Sequence, residues 1–188
     1  MRRICVYCGS NFGSNPEFRV AAARIGQCLV ERGLGLVYGG GSVGLMGVIA
    51  DAVLAGGGEV IGVIPKKLVA LEKEHRGLTK LIETNTMHDR KRLMMEHADG
   101  FLVLPGGYGT LEELFEVIAW LQLGFHHKPV GLLNVAGFYD ALLDQLSHMK
   151  ANGLLKPEHH ALLLVETDEA RLLDRMAAFE PSNAGKWL

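Results

Sequence analysis

The stretch Pro105-Gly106-Gly107-Tyr108-Gly109-Thr110-Leu111-Glu112-Glu113 follows a short apolar run, Phe101-Leu102-Val103-Leu104, and opens an apolar-periodic segment that continues to about Leu123. That succession reads as strand, glycine turn, helix. Three glycines in four positions remove the side chains that would keep a ligand away from the backbone. The N–H groups opening the helix then face outward with the positive end of its dipole, which suits a phosphate. Two carboxylates lie one helical turn further on. An anion site and an acid at one corner point to chemistry on a nucleotide.

Working outward, the same alternation repeats along the chain. Arg3 to Cys8 reads as a buried strand ending at Gly9-Ser10, and Asn15-Pro16-Glu17 carries the cap, proline and acid of a helix start. That helix stops at Gly33. Leu36-Val37-Tyr38 is a second strand, followed by a Gly39–Ser42 turn and a helix to Ala55. Val60 to Ile64 is a third strand. Between Lys66 and Thr86 the pattern weakens to a loop with a short strand near Leu81-Ile82, before a basic helix from Met87 to Ala98. Val130–Leu133 and Leu162–Val165 are further strands, with helices over Phe138–Asn152 and Asp168–Phe179. The expected fold is α/β: a Rossmann-like open, mostly parallel sheet with helices on both faces, in three layers. Residues 1–180 form one unit in this reading, and the tail from Pro181 is loose. Ligands of such sheets bind beyond the carboxyl ends of the strands. The loops after the first, second and Phe101–Leu104 strands, all rich in glycine or small polar residues, should meet there.

Composition sets the outer limits. The chain has 188 residues, 48% apolar and 21% charged, with a net charge of −2. That balance argues against a nucleic-acid surface or a membrane binder, and no apolar run approaches transmembrane length. The N-terminal Met1-Arg2-Arg3-Ile4 goes directly into a strand, without a signal-peptide pattern. Three cysteines make an odd set for a secreted disulfide framework, so reduced thiols in the cytoplasm are expected. Cys5 and Cys8 are spaced C-x-x-C, but nothing nearby completes a zinc set.

Several clusters admit two readings. Gly39-x-Gly41-x-x-Gly44 satisfies the dinucleotide pattern, but it follows the second strand and lacks the acid expected about twenty residues later. NAD is therefore not expected. Gly40 and Gly41 serve tight turns or contact a substrate phosphate or ribose. Met87-His88-Asp89-Arg90-Lys91-Arg92 is either a solvated basic face or a helix end reaching the ligand edge, where Arg90 offers a planar fork. Thr110-x-x-Glu113 fits a capping box, which would occupy the Glu113 carboxylate, and also fits a site acid. Glu116 lies one turn beyond both acids. Ser10 can donate to a phosphate or cap its loop. His126-His127 and His159-His160 fall in predicted loops without metal spacing, so surface positions are expected. No lysine is marked out for a pyridoxal Schiff base.

Two of these motifs carry a resemblance. Pro105 to Glu113 matches P-G-G-x-G-T-x-x-E, and Met87-His88-Asp89-Arg90-Lys91 matches M-H-x-R-K. Together they resemble the "Lonely guy" family of cytokinin riboside 5′-monophosphate phosphoribohydrolases, long mislabelled as lysine decarboxylases. The likeness extends from Cys8-Gly9-Ser10 to Lys128–Asn134. It implies hydrolysis of the N-glycosidic bond of a purine nucleoside 5′-monophosphate to a free base and ribose 5-phosphate, without a cofactor, in a homodimer with sites close to the interface. By position, Arg90 and Glu113 would be the catalytic pair, with Lys91 beside Arg90. Gly106, Gly107, Tyr108, Gly109, Thr110, Leu111 and Glu112 would hold the phosphoribosyl group, and Glu72 would contact substrate. Ala119 departs from the pattern, since plant members have a substrate-contacting Thr there. The rival from another class is a non-catalytic nucleotide-binding module.

Overall fold

A computed structural model describes residues 1–69 and 74–180. In chain order its elements are β1 (Arg3–Tyr7), α1 (Pro16–Glu31), β2 (Gly35–Tyr38), α2 (Gly44–Ala55), β3 (Val60–Pro65), α3 (Lys66–Val69), β4 (Lys80–Thr84) and α4 (Met87–His97). The second half comprises β5 (Gly100–Val103), α5 (Tyr108–Leu123), β6 (Val130–Leu133), a 3₁₀ turn (Val135–Gly137), α6 (Asp140–Ala151), α7 (Pro157–His160), β7 (Leu163–Glu166) and α8 (Glu169–Ala177).

All seven strands join one parallel sheet in the order β4-β3-β2-β1-β5-β6-β7. The expected α/β class with helices on both faces is observed. The chain winds outward from β1 to β4 and then returns to β5 on the other side of β1. Ligand crevices open where the order reverses in this way.

Parallel strands covered on both faces read as continuous apolar runs, and here alternate residues divide between two cores. Ile4, Val6, Leu36, Tyr38, Leu102 and Leu104 pack with the inner faces of α1, α2 and α8. Cys5, Tyr7, Val37, Val63, Phe101 and Val103 pack on the opposite face, with Met94 of α4 and Leu114 of α5. Ile4, Leu36 and Leu102 are fully buried, so truncating any one to Ala costs about 2–5 kcal/mol.

Local chemistry sets the helix starts. The Asn15 side chain accepts from Glu17 N, and Pro16 takes the first position of α1. Thr86 Oγ1 accepts from Asp89 N to open α4. Three details depart from expectation. The short strand near Leu81-Ile82 is a five-residue edge strand, because β3 offers it a partner along its whole length. The Lys66–Thr86 region also holds the one-turn α3. The helix expected from Phe138 begins at Asp140, behind the 3₁₀ turn. Glu72 and the tail from Pro181 lie outside the described residues.

Candidate active site

α4 is the crossover that carries the chain back from the β4 edge, so it lies beneath several strands with its first turn at their carboxyl ends. Arg90, Met94 and Ala98, spaced by four, form its buried stripe. Arg90 is 6% exposed, and water satisfies little of its guanidinium. Backbone carbonyls at the sheet edge do so instead: Nε donates to Val63 O at 3.1 Å and Nη2 to Gly39 O at 3.1 Å. Gly39 makes this possible, because a Cβ there would collide with Nη2. The basic run therefore has two fates. His88 and Arg92 are exposed, whereas Arg90 faces the site.

A cavity of about 400 Å³ opens above this point, within the ordinary range of small-molecule sites. One side is the loop after β1, Cys8 to Gly13. The opposite side is Pro105 to Thr110, and Arg90 and Glu113 face the space between. Phe18, Leu45, Met46 and Phe138 supply an apolar wall, with Phe18 and Phe138 edge to face at 5.2 Å. Gly9 N donates to Pro105 O and Leu45 N to Gly9 O, which ties the loops after β1 and β5 to the start of α2. Of the three loops expected to meet at this edge, those after β1 and β5 line the cavity. The Gly39 loop after β2 holds Arg90 from behind.

The start of α5 decides whether Glu113 caps its own helix. Gly107 is its N-cap, in extended backbone, and no side chain caps the helix. The capping box at Thr110-x-x-Glu113 is thus absent: the helix begins two residues before Thr110, and Thr110 is buried in its first turn beneath Gly106. The first N–H groups of a helix have no intrahelical acceptor, and those of Tyr108, Gly109 and Thr110 open beside the cavity. A Cβ at Gly107 or Gly109 would meet nothing, whereas one at Gly106 would strike Thr110.

The Glu113 carboxylate acts on the thiols at the end of β1. Burial pushes the Cys8 thiol well above its usual value, and the Glu113 carboxylate adds to that rise. Cys5 is raised by burial and Glu113 and lowered in smaller measure by Arg90. Cys8 therefore lines the cavity as a neutral thiol and not as a thiolate nucleophile.

The other anticipated residues lie around this centre. Ser10 lines the cavity. Lys91 and Glu112 do not: Lys91 Nζ is bonded to Glu112 and, at 2.9 Å, to Glu116 Oε1, joining α4 to α5. Burial opposes the Lys91 charge, but its two carboxylate partners outweigh that and raise its pKa. Leu111 packs inward against the core. Gly40, at φ +80°, accepts from His75 N at 3.0 Å, and Gly41 bridges to Glu74, so both are tied to the segment that precedes β4. Ala119 is exposed on α5. His126 and His159, expected at the surface, are 8% and 7% exposed. His126 is drawn inward because Nε2 reaches Val117 O at 2.9 Å while Nδ1 accepts from Lys128 N. His159 is the buried residue of α7, a turn of helix where a loop was expected. Phe12, Phe18, Met46 and Phe138 were not anticipated; Phe138 arrives from the loop after β6, which carries no phosphate-like glycine pattern.

Residues 46–176 match the family described as "Possible lysine decarboxylase". Over 180 residues the chain is 49% identical to a probable cytokinin riboside 5′-monophosphate phosphoribohydrolase of Oryza sativa subsp. japonica, covering 96% of this chain and 79% of that protein. The chain belongs to this phosphoribohydrolase family. A cytokinin riboside 5′-monophosphate phosphoribohydrolase of Arabidopsis thaliana is 47% identical over 186 residues, 98% of this chain and 81% of its own. The molybdenum cofactor carrier protein of Chlamydomonas reinhardtii shares the fold at 20% identity, with a TM-score of 0.71 over 95% of this chain and 99% of its own. The decarboxylase description of the phosphoribohydrolase family finds no support in the site. A pyridoxal enzyme needs a lysine amine at the cofactor, and no lysine lines the cavity among the described residues.

Proposed function

We propose that this protein hydrolyses the N-glycosidic bond of adenosine 5′-monophosphate or an N6-substituted relative, releasing the free base and ribose 5-phosphate. The observation that carries this reading is the convergence of Arg90, Glu113 and the uncapped start of α5 on one cavity with an apolar wall. The N–H groups of Tyr108, Gly109 and Thr110 take the phosphate, with Ser10 across the cavity. The purine lies against the Phe18–Phe138 side.

The C1′–N9 electron pair leaves with the purine, and the sugar passes through an oxocarbenium-like state. Glu113 stabilises that positive charge and takes a proton from the water whose oxygen bonds to C1′. Arg90 offsets the charge developing on the purine or fixes the phosphate. Phosphate binding remote from C1′ holds the reacting bond in place. Glu112 and Lys91 steady the two helices that carry Glu113 and Arg90, Gly40 and Gly41 steady His75 and Glu74 ahead of β4, and Glu72 contacts the substrate. No resident cofactor or metal is required.

We further place the enzyme in the cytoplasm as a homodimer. Cys5, Cys8 and Cys28 are all unpaired, and no described helix is long and apolar enough to cross a membrane. Phe115, Trp120, Leu123 and Phe125 leave a line of exposed apolar surface on and beyond α5, with Phe125 75% exposed. Incubation with AMP, followed by chromatography for free adenine, tests the activity. Saturable AMP binding without adenine release would instead favour a nucleotide-binding module.

A further inference from the structure

The turn after β6 has an unusual build for a connecting loop. Ala136 holds φ +49° without being glycine, and Gly137 follows at φ +70°. Such backbone persists only where its surroundings enforce it. Here Asn134 does so: its Oδ1 accepts from Tyr139 N at 2.8 Å, its Nδ2 donates to Asp140 Oδ1 at 2.7 Å, and its own N–H is held by Glu166 O on β7. The turn delivers two aromatic side chains. Phe138 faces the cavity. Tyr139, 2% exposed, passes beneath the glycine turn after β5 and donates from its hydroxyl to Leu104 O at 2.8 Å. Burial pushes this phenol well up, and the Gly106 backbone N–H acts on the same oxygen in the opposite sense. A neutral hydroxyl is therefore held to the backbone at Leu104, immediately before Pro105.

We propose that Tyr139 is a positioning residue for phosphate binding, fixing through Leu104 the backbone that leads into the glycine turn and aims the first N–H groups of α5 into the cavity. The proposal rests on the phosphate reading of that helix start. Nothing else links the two loops by a buried side-chain hydrogen bond among the described residues. Gly107 and Gly109 have no side chains of their own with which to hold the turn.

The test is Tyr139→Phe, which keeps the buried ring and removes only the hydroxyl. Ribose 5-phosphate binding by titration calorimetry, AMP turnover and thermal unfolding are measured on wild type and variant. The expected result is a folded variant whose ribose 5-phosphate Kd and AMP KM both rise roughly five- to tenfold, the equivalent of one hydrogen bond. Its kcat changes much less. Asn134→Ala keeps the hydroxyl but frees the turn, and should weaken the same two constants by a smaller factor.

Unchanged Kd and KM in Tyr139→Phe, with only a lower Tm, would leave a structural hydroxyl and overturn the proposal alone. Wild type that binds ribose 5-phosphate without cleaving AMP, and a variant that binds it more weakly, would retain Tyr139's role and remove the hydrolase reading. Wild type that neither binds ribose 5-phosphate nor cleaves AMP overturns both.

Discussion

Arg90 and Gly39 are fitted to each other: the guanidinium Nη2 donates to Gly39 O at 3.1 Å, in space that a Cβ on Gly39 would occupy. The glycine is therefore a condition for the arginine's placement, although the two are 51 residues apart. Gly39→Ala should leave a folded protein with AMP cleavage reduced about 100-fold, since small misplacements of reacting groups cost that much. Steady-state kinetics beside circular dichroism checks this, and near-normal turnover would show that Arg90 tolerates displacement.

Glu112 and Glu113 are adjacent in sequence but face different partners. Glu112 is engaged by Lys91 outside the cavity, and Glu113 lines it. Glu113→Gln should lower kcat by about 1,000-fold, combining lost charge stabilisation with lost general-base action. Glu112→Gln should lower it by less than about tenfold. The reverse order would move the catalytic role to Glu112.

The glycines of the phosphate turn should separate by experiment. Gly106→Ala strikes Thr110 and should lower Tm. Gly109→Ala meets no protein atom and removes a glycine from a helix, so it should stabilise by up to about 1 kcal/mol. It nevertheless places a methyl group where the ligand approaches, and KM for AMP should rise. A Gly109→Ala protein with unchanged KM would move the phosphate elsewhere.

His126 gives stability a defined pH dependence. Burial, and in smaller measure the positive charge of Lys128, lowers its pKa from the ordinary 6.5, against the pull of Val117 O. The unfolded chain therefore takes up this proton at higher pH than the folded one. The stability contributed by neutral, buried His126 is complete above pH 6.5 and declines as pH falls through and below that value. Urea unfolding at pH 7.5 and 5.5 should show the loss, and His126→Gln should flatten it. An equal loss in the variant would assign the effect to other groups.

The apolar line on α5 predicts association. Phe115→Asp and Trp120→Asp, separately, should convert the homodimer to a monomer in sedimentation velocity at micromolar concentration, because each places a charge in the buried patch. A wild-type chain that sediments as a monomer would remove the dimer.

Much of this protein was determined locally, and local signals were legible. Strands such as Leu36–Tyr38 and Val130–Leu133 are short apolar runs bounded by glycine or proline, and Asn15-Pro16 marks its helix by cap chemistry that needs no distant partner. The glycine turn at Pro105–Thr110 was legible as an anion site for the same reason, since its properties belong to a few consecutive residues. Arg90 was half legible. It occupies the stripe of Met94 and Ala98, but only the β4-to-β5 crossover brings that stripe under the carboxyl edge of the sheet, where Gly39 and Val63 supply carbonyls that replace water. Thr110 shows the opposite case, where a capping motif on paper gave way to a helix begun two residues earlier. His126, Tyr139 and the aromatic wall were decided by tertiary structure alone. Burial, hydrogen-bond pairing and convergence on a cavity are relations between segments that no one segment encodes by itself.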